Sequence, residues 1–273
     1  MKQKIMKRFR CLGVLSAVLL LLSVLAGPAI GAQSEEELAK ATLNPVAAMI
    51  SLPIQNNWDF GIGPADAMRY TLNVQPVIPL TLNSDYNLII RTVVPYIYAE
   101  APVRGGDDES GLGDIVQSFF FSPKNPVEGW IVGLGPVLLY PSASNDALGS
   151  EKWGAGPTGL VLKQESGFTY GLLFNHIWSF AGDDDRDNVS ATFLQPFFSY
   201  TTKSFTTFGV NTESTYDWKN NQWNVPINLS VTQLLKLGGQ PMTFQLGYRY
   251  YAEAPDGGPD WGLRFALTLL FPK

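Results

Sequence analysis

The sequence predicts an all-β protein, a closed antiparallel transmembrane β-barrel of about twelve strands that follows a short helical segment. Three observations predict it. The chain opens on a basic and then apolar leader. From about residue 55 onward, apolar residues recur with a period of two rather than 3.6. The connections between these segments alternate in length, and the tryptophans and tyrosines gather near the segment ends.

The leader runs "MKQKIMKRFR" and then "CLGVLSAVLLLLSVLAGPAIGAQS". A positive region, an apolar region and small residues before Gln33 form the pattern of a cleaved secretory signal peptide, residues 1–32. Its apolar run is short for a span of roughly 20 residues. Its removal takes away Lys2, Lys4, Lys7, Arg8 and Arg10 and no acidic residue, so a formal net charge of −5 becomes −10. An acidic chain does not suit a nucleic-acid partner, which selects basic surfaces. The sole cysteine, Cys11, leaves with the leader, so an exported chain has no disulfide framework. No other apolar run is long enough for a membrane helix, and any membrane crossing must be made by strands.

Residues 33–54 read as an N-terminal segment, periplasmic or inserted in the lumen. Ser34 followed by Glu35, Glu36 and Glu37 is a strong helix start, with a capping serine and carboxylates near the positive end. A break at Asn44-Pro45 and a second helical turn follow. The barrel then occupies 55–273. Its expected strands are 55–62, 68–80, 86–101, 112–122, 129–141, 151–164, 168–181, 190–203, 205–218, 222–236, 241–252 and 260–271. Alternation is clearest where Trp223, Val225, Ile227, Leu229 and Val231 oppose Asn224, Asn228, Ser230 and Thr232. The last strand sets Trp261, Leu263, Phe265, Leu267, Leu269 and Phe271 against Gly262, Arg264, Ala266 and Thr268, with Leu270 as an exception.

Connections 82–85, 163–167, 202–204 and 236–240 are short; 102–111, 141–150, 182–188 and 252–259 are longer and mostly acidic. That is the pattern of short periplasmic turns and long outer loops. With this polarity Tyr70, Tyr96, Tyr98, Tyr140, Trp153, Trp178, Tyr216, Trp218, Trp223, Tyr250 and Trp261 fall at the outer ends. Tyr86, Trp130, Tyr170 and Tyr200 fall at the inner ends. Two aromatic bands are what membrane interfaces favour. Against the pattern, Pro76, Pro79, Pro95, Pro136, Pro157, Pro196 and Pro226 lie inside expected strands, where proline cannot donate to the ladder.

Three motifs carry potential chemistry. "GAGPTG" (154–159) matches G-x-G-x-x-G, but no strand–helix context surrounds it and Pro157 interrupts it; close strand approach explains its glycines better. "DDDRD" (183–187) lacks the glycine and glutamate spacing of a calcium loop and reads as a solvated acidic loop, at most a weak cation bridge to lipopolysaccharide. His176 is the only histidine. It excludes multi-histidine metal sites and reads as a girdle residue, with Ser179 on the opposite strand face. Charges on the polar faces (Arg91, Asp114, Glu213, Asp217, Arg249 and Arg264) are the lumen-lining candidates, because an arginine at the lipid midplane costs ~2–4 kcal/mol.

The stretches "LAKATLNPVAAMISLPIQNNWDFGIGP", "NLIIRTVVPYI", "GLGDIVQSFFFSP", "KWGAGPTGLVLKQ" and "WGLRFALTLLFPK" resemble the bacterial outer-membrane β-barrel family labelled with the MetA-pathway of phenol degradation, whose members are called transporters. The resemblance implies a barrel in the outer membrane of a Gram-negative bacterium. The chain's end also resembles a barrel-assembly signal, with Asp260, Gly262, Phe265 and Leu267 in place, although Pro272 and Lys273 follow Phe271. The expected function is passive passage of small molecules, with aromatic or apolar compounds among them. Expected partners are outer-membrane lipid and lipopolysaccharide, the barrel-assembly machinery and the solutes themselves. No catalytic residue, cofactor or metal is assigned. Other readings stay open: a barrel-embedded hydrolase using His176, a structural or surface-interaction barrel with a plugged lumen, and a soluble β-protein with its apolar faces inside.

Overall fold

The structure is a computed structural model that describes residues 34–272; the expected leader lies outside the described residues. One helix, α1 (Glu35–Thr42), precedes fifteen strand segments. These are β1 (Ile50–Ile62), β2 (Ala67–Val74), β3 (Val77–Thr81), β4 (Tyr86–Ala99), β5 (Glu109–Leu112), β6 (Ile115–Pro123), β7 (Trp130–Tyr140) and β8 (Lys152–Glu165). They continue as β9 (Phe168–Gly182), β10 (Ser190–Thr201), β11 (Thr206–Thr212), β12 (Ser214–Asp217), β13 (Gln222–Leu237), β14 (Gln240–Glu253) and β15 (Trp261–Phe271).

Three pairs of segments are single strands interrupted once. β2 and β3 both pair with β1 and β4; β5 and β6 both pair with β4; β11 and β12 both pair with β10 and β13. The fifteen segments therefore make twelve antiparallel strands. β15 closes on β1 from Ile50–Phe271 to Phe60–Trp261. Closure leaves no edge, which is what backbone groups inside lipid require.

The seven prolines now have a reason. Pro76 sits in the β2–β3 break and Pro226 at the irregularity where β13 meets β14. Pro95 lies opposite the break between β5 and β6, and Pro196 opposite the break between β11 and β12. Pro79 belongs to a stretch of β3 that β1 does not pair beyond Val77. Pro136 and Pro157 face each other across β7–β8, and each borders a gap in its other ladder: β6–β7 skips from Val137 to Leu134, and β8–β9 skips from Ala155 to Thr158. The prolines thus mark where ladder bonds are absent, which is where strands accept them.

Side chains alternate as the pleat demands. On β15, Trp261 and Leu263 are exposed on the outer wall while Gly262, Arg264, Ala266 and Leu270 are buried inside. Trp130, Trp153, Trp178, Trp218, Trp223, Tyr86, Tyr96, Tyr200 and Tyr250 are also exposed, as residues of the two aromatic bands. The apolar faces therefore point outward, and the soluble reading, which needs them inside, fails on this geometry.

One boundary differs from expectation. The N-terminal segment was expected to run to residue 54 with a second helical turn. Strand β1 instead begins at Ile50, and residues 43–49 form turns and bends. Ser51, Pro53, Gln55, Asn57 and Asp59 alternate with Ile50, Leu52, Ile54 and Trp58, and pairing with β15 outweighs the weak helical signal.

Candidate functional site: the barrel lumen

The inside of the barrel has two levels. At the end bearing the short turns, the N-terminal segment fills it. Helix α1 is fixed at its start by a capping box: Ser34 Oγ accepts from the Glu37 N–H at 3.2 Å, and Glu37 Oε2 accepts from the Ser34 N–H at 2.9 Å. An eight-residue helix is marginal alone, so docking must hold it. Leu38 and Ala39 pack with Met49, Leu234 and Leu270 in one buried cluster. Leu270 and Leu234 are apolar residues on inward faces, and the helix is what they touch. Gln164 donates to the Lys40 carbonyl at 2.9 Å, and Lys236 pairs loosely with Glu35 at 3.9 Å. Just above, Val46 joins Val77, Ile89, Phe120, Leu160, Leu162 and Leu173 in a second buried cluster.

At the end bearing the long loops lies a polar chamber of about 510 Å³, beneath the β14–β15 connection at 255–259. Gln55, Asn57, Asp59, Arg69, Glu213, Asn224, Arg249, Tyr251 and Arg264 are in its wall. Every nitrogen of Arg264 is engaged. It gives Nη1 and Nη2 to the two Glu213 carboxylate oxygens at 2.8 and 2.7 Å and Nε to Asn57 Oδ1 at 2.7 Å. Arg249 differs. It meets Asp59 at 3.4 Å and Glu213 at 4.0 Å, both longer than a charge-assisted hydrogen bond, and its buried Nε has no partner among the described residues. Asp59 Oδ1 and Asn224 Oδ1 are also buried without a hydrogen-bond partner among the described residues. Deeper, Arg91 donates to Gln75 Oε1 at 2.8 Å, and Gln75 reaches Gln55 at 3.5 Å.

Strand interruptions place these groups. Glu213 occupies the single residue between β11 and β12, and Gln75 the gap between β2 and β3. Leaving the ladder frees each of them from the strict alternation of a continuous strand. Of the six charged residues expected to line the lumen, Arg91, Glu213, Arg249 and Arg264 are gathered in this network. Asp114 and Asp217 are not brought into it. Asp114 sits in the β5–β6 break and accepts from the Ala143 N–H, the Ser150 N–H and the Ser150 hydroxyl, bracing the outer loop. Asp217 ends β12 and caps its turn through the Lys219 and Asn220 N–H groups. Each carboxylate was near amides that a loop had left without partners. Asp59, Arg69 and Asn57 were not singled out from sequence; the alternation Gln55-x-Asn57-x-Asp59 on one strand face was the available signal.

His176 lies on the outer wall, its ring 4.0 Å from that of Trp178. Its Nδ1 meets Thr192 Oγ1 at 2.7 Å, and the same hydroxyl accepts from Trp218 Nε1 at 2.8 Å. Its Nε2 has no partner among the described residues, and Ser179 bonds instead with Asn188 and Val189. The glycines of "GAGPTG" sit where strands crowd. A Cβ on Gly156 would collide with the His176 carbonyl, one on Gly154 would come within 2.6 Å of Ile177, and one on Gly159 would strike the Phe174 ring.

Among solved structures, the chain is similar to the COG4313 outer membrane channel from Pseudomonas putida F1, with a TM-score of 0.64 at 13% identity over 82% of this chain and 96% of that one. It is also similar to the NanC porin, with a TM-score of 0.50 at 11% identity over 81% of this chain and 100% of that one. At such identity the likeness shows the fold, an outer-membrane-type β-barrel. No protein-family model and no curated protein matches the chain.

Proposed function

We propose that this protein is an outer-membrane pore of a Gram-negative bacterium that lets small solutes pass passively, with its N-terminal segment as the obstacle within the lumen. The observation that carries this reading is the construction of the lumen. A polar chamber lies above a plug held by side-chain contacts and not by the barrel's own ladder. The outward apolar face and aromatic bands supply the surface that meets lipid and lipopolysaccharide, and assembly machinery would insert such a barrel. The similarity to a channel and a porin supports the same class, and resemblance to the barrel family labelled with the MetA pathway fits it.

The expectation of aromatic or apolar solutes draws support only from the deeper level, where Phe120, Leu160 and Leu162 are buried. The chamber itself is polar. A hydrolase at His176 would need a nucleophile and an orienting carboxylate; the contacts described there are a threonine and two tryptophans. Liposomes carrying the purified barrel test the pore reading. They are expected to swell in small solutes at rates that fall with solute size, and swelling no faster than in protein-free liposomes would reject it.

A further inference from the structure

We infer that the chamber under the 255–259 loop is a binding site for small hydroxylated carboxylates, with Arg249 as the group that takes the carboxylate. This deepens the pore reading by naming a solute class, yet the site could bind without conduction.

The argument starts from unequal pairing. Glu213 is committed to Arg264 by two short bonds, which leaves Arg249 with only the longer approaches to Asp59 and Glu213. Arg249 is 8% exposed and its Nε has no partner among the described residues. A buried cation left short of partners is costly, and this one borders a chamber large enough for a small molecule. Arg69 stands in the same wall, in register with Asp59. The inner wall therefore holds Arg69, Arg249 and Arg264 against Asp59 and Glu213, and Asp256, on the exposed loop at the mouth, brings the chamber's charges into balance, so a chamber inside a chain of formal charge −5 is not acidic.

Charge alone would admit any anion. The second requirement comes from Asn224 Oδ1, a buried acceptor in the same wall with no hydrogen-bond partner among the described residues, and from Asp59 Oδ1, which Arg249 Nη1 approaches only to 3.4 Å. A ligand that satisfies the guanidinium and these oxygens together carries a carboxylate and hydroxyl donors. Tyr251, whose ring lies 5.5 Å from the Arg249 guanidinium, gives the carbon skeleton a flat surface.

Equilibrium titration of the detergent-solubilised full barrel tests this. The probe is gluconate; glucose has the hydroxyls without the charge, and benzoate the charge without the hydroxyls. Gluconate is expected to bind saturably and at least tenfold tighter than either comparator, and Arg249→Gln is expected to weaken it at least tenfold with unchanged heat-modifiable migration. Should Arg249→Gln not fold, Arg69→Gln serves in its place and is expected to weaken gluconate several-fold. Equal binding of gluconate and glucose, equal binding of gluconate and benzoate, no saturable binding, or unchanged affinity in the folded variant overturns the inference; the last two would mean that water alone completes Arg249. Because the titration reads no current, its failure leaves the pore reading standing, and loss of conductance leaves the site standing.

Discussion

Arg264 and Glu213 hold each other through two hydrogen bonds, 2.8 and 2.7 Å long, although the whole of β13 and β14 separates their strands in the sheet. The contact crosses the inside of the barrel, from the closing strand to the one-residue break between β11 and β12. It ties the curvature of the wall to the charge of the chamber. Removing Glu213 leaves Arg264 buried without its ion pair, which costs about 3–5 kcal/mol; removing Arg264 costs less, because Glu213 is half-buried and keeps Arg249 at 4.0 Å. Glu213→Gln and Arg264→Met should each lower the temperature at which the barrel loses its compact gel migration. The double variant should lose less than the two losses together, the mark of direct coupling. Strict additivity would mean that the two side chains act independently.

The plug rests on Leu38 against Leu270 and Leu234. Both Leu38 and Leu270 are almost wholly buried, and truncating such a leucine costs roughly 2–5 kcal/mol. Leu38→Ala should therefore leave the barrel's heat stability nearly unchanged while making residues 34–47 far more sensitive to added protease. A loss of barrel stability as large as the loss of protection would show that the segment is part of the wall's structure and not a separable plug.

Gly156 faces the backbone of β9, where a Cβ would meet the His176 carbonyl. Gly156→Ala should cut the yield of folded barrel sharply, whereas His176→Ala should fold normally and leave solute passage unaltered. Normal folding of Gly156→Ala would remove the steric reason given for "GAGPTG".

In the outer loop after β4, Asp108 accepts from the Ala101 N–H at 2.9 Å and from the Tyr98 hydroxyl at 2.8 Å. These bonds hold its carboxyl below the ordinary value of 3.8. A depressed folded value means that the bracing is present above 3.8 and is lost as pH falls through the lower folded value. Hydrogen exchange at Ala101 should stay slow from neutral pH down to about pH 4 and, after correction for intrinsic rates, lose protection below it. Asp108→Asn should lose part of that protection at every pH.

Much of this fold was legible in the sequence because period-two alternation survives in nearly every strand. Trp223 through Val231 and Trp261 through Leu269 declared their conformation and which side chains share a face, while the direction of the apolar face needed the closed sheet. Hidden features depended on partners far away in the chain. Leu270 broke its strand's pattern because α1, more than 220 residues earlier, lies against it. The prolines read as obstacles because a single strand shows no sign of the gap in the ladder beside it; Pro196 and Pro226 flank a break whose purpose is set by Arg264. Asp114 and Asp217 looked like Glu213 in sequence, but free loop amides claimed them. A charge on a polar face indicates the inside of a barrel; which charges share a chamber depends on how the strands are staggered.

Planar-bilayer recording of the intact chain beside a variant lacking residues 34–47 tests the central claim most directly. The account predicts that the intact barrel conducts weakly or intermittently and that the shortened one, still folded by its gel migration, conducts steadily and several-fold more. A folded barrel that carries no current in either form would contradict it.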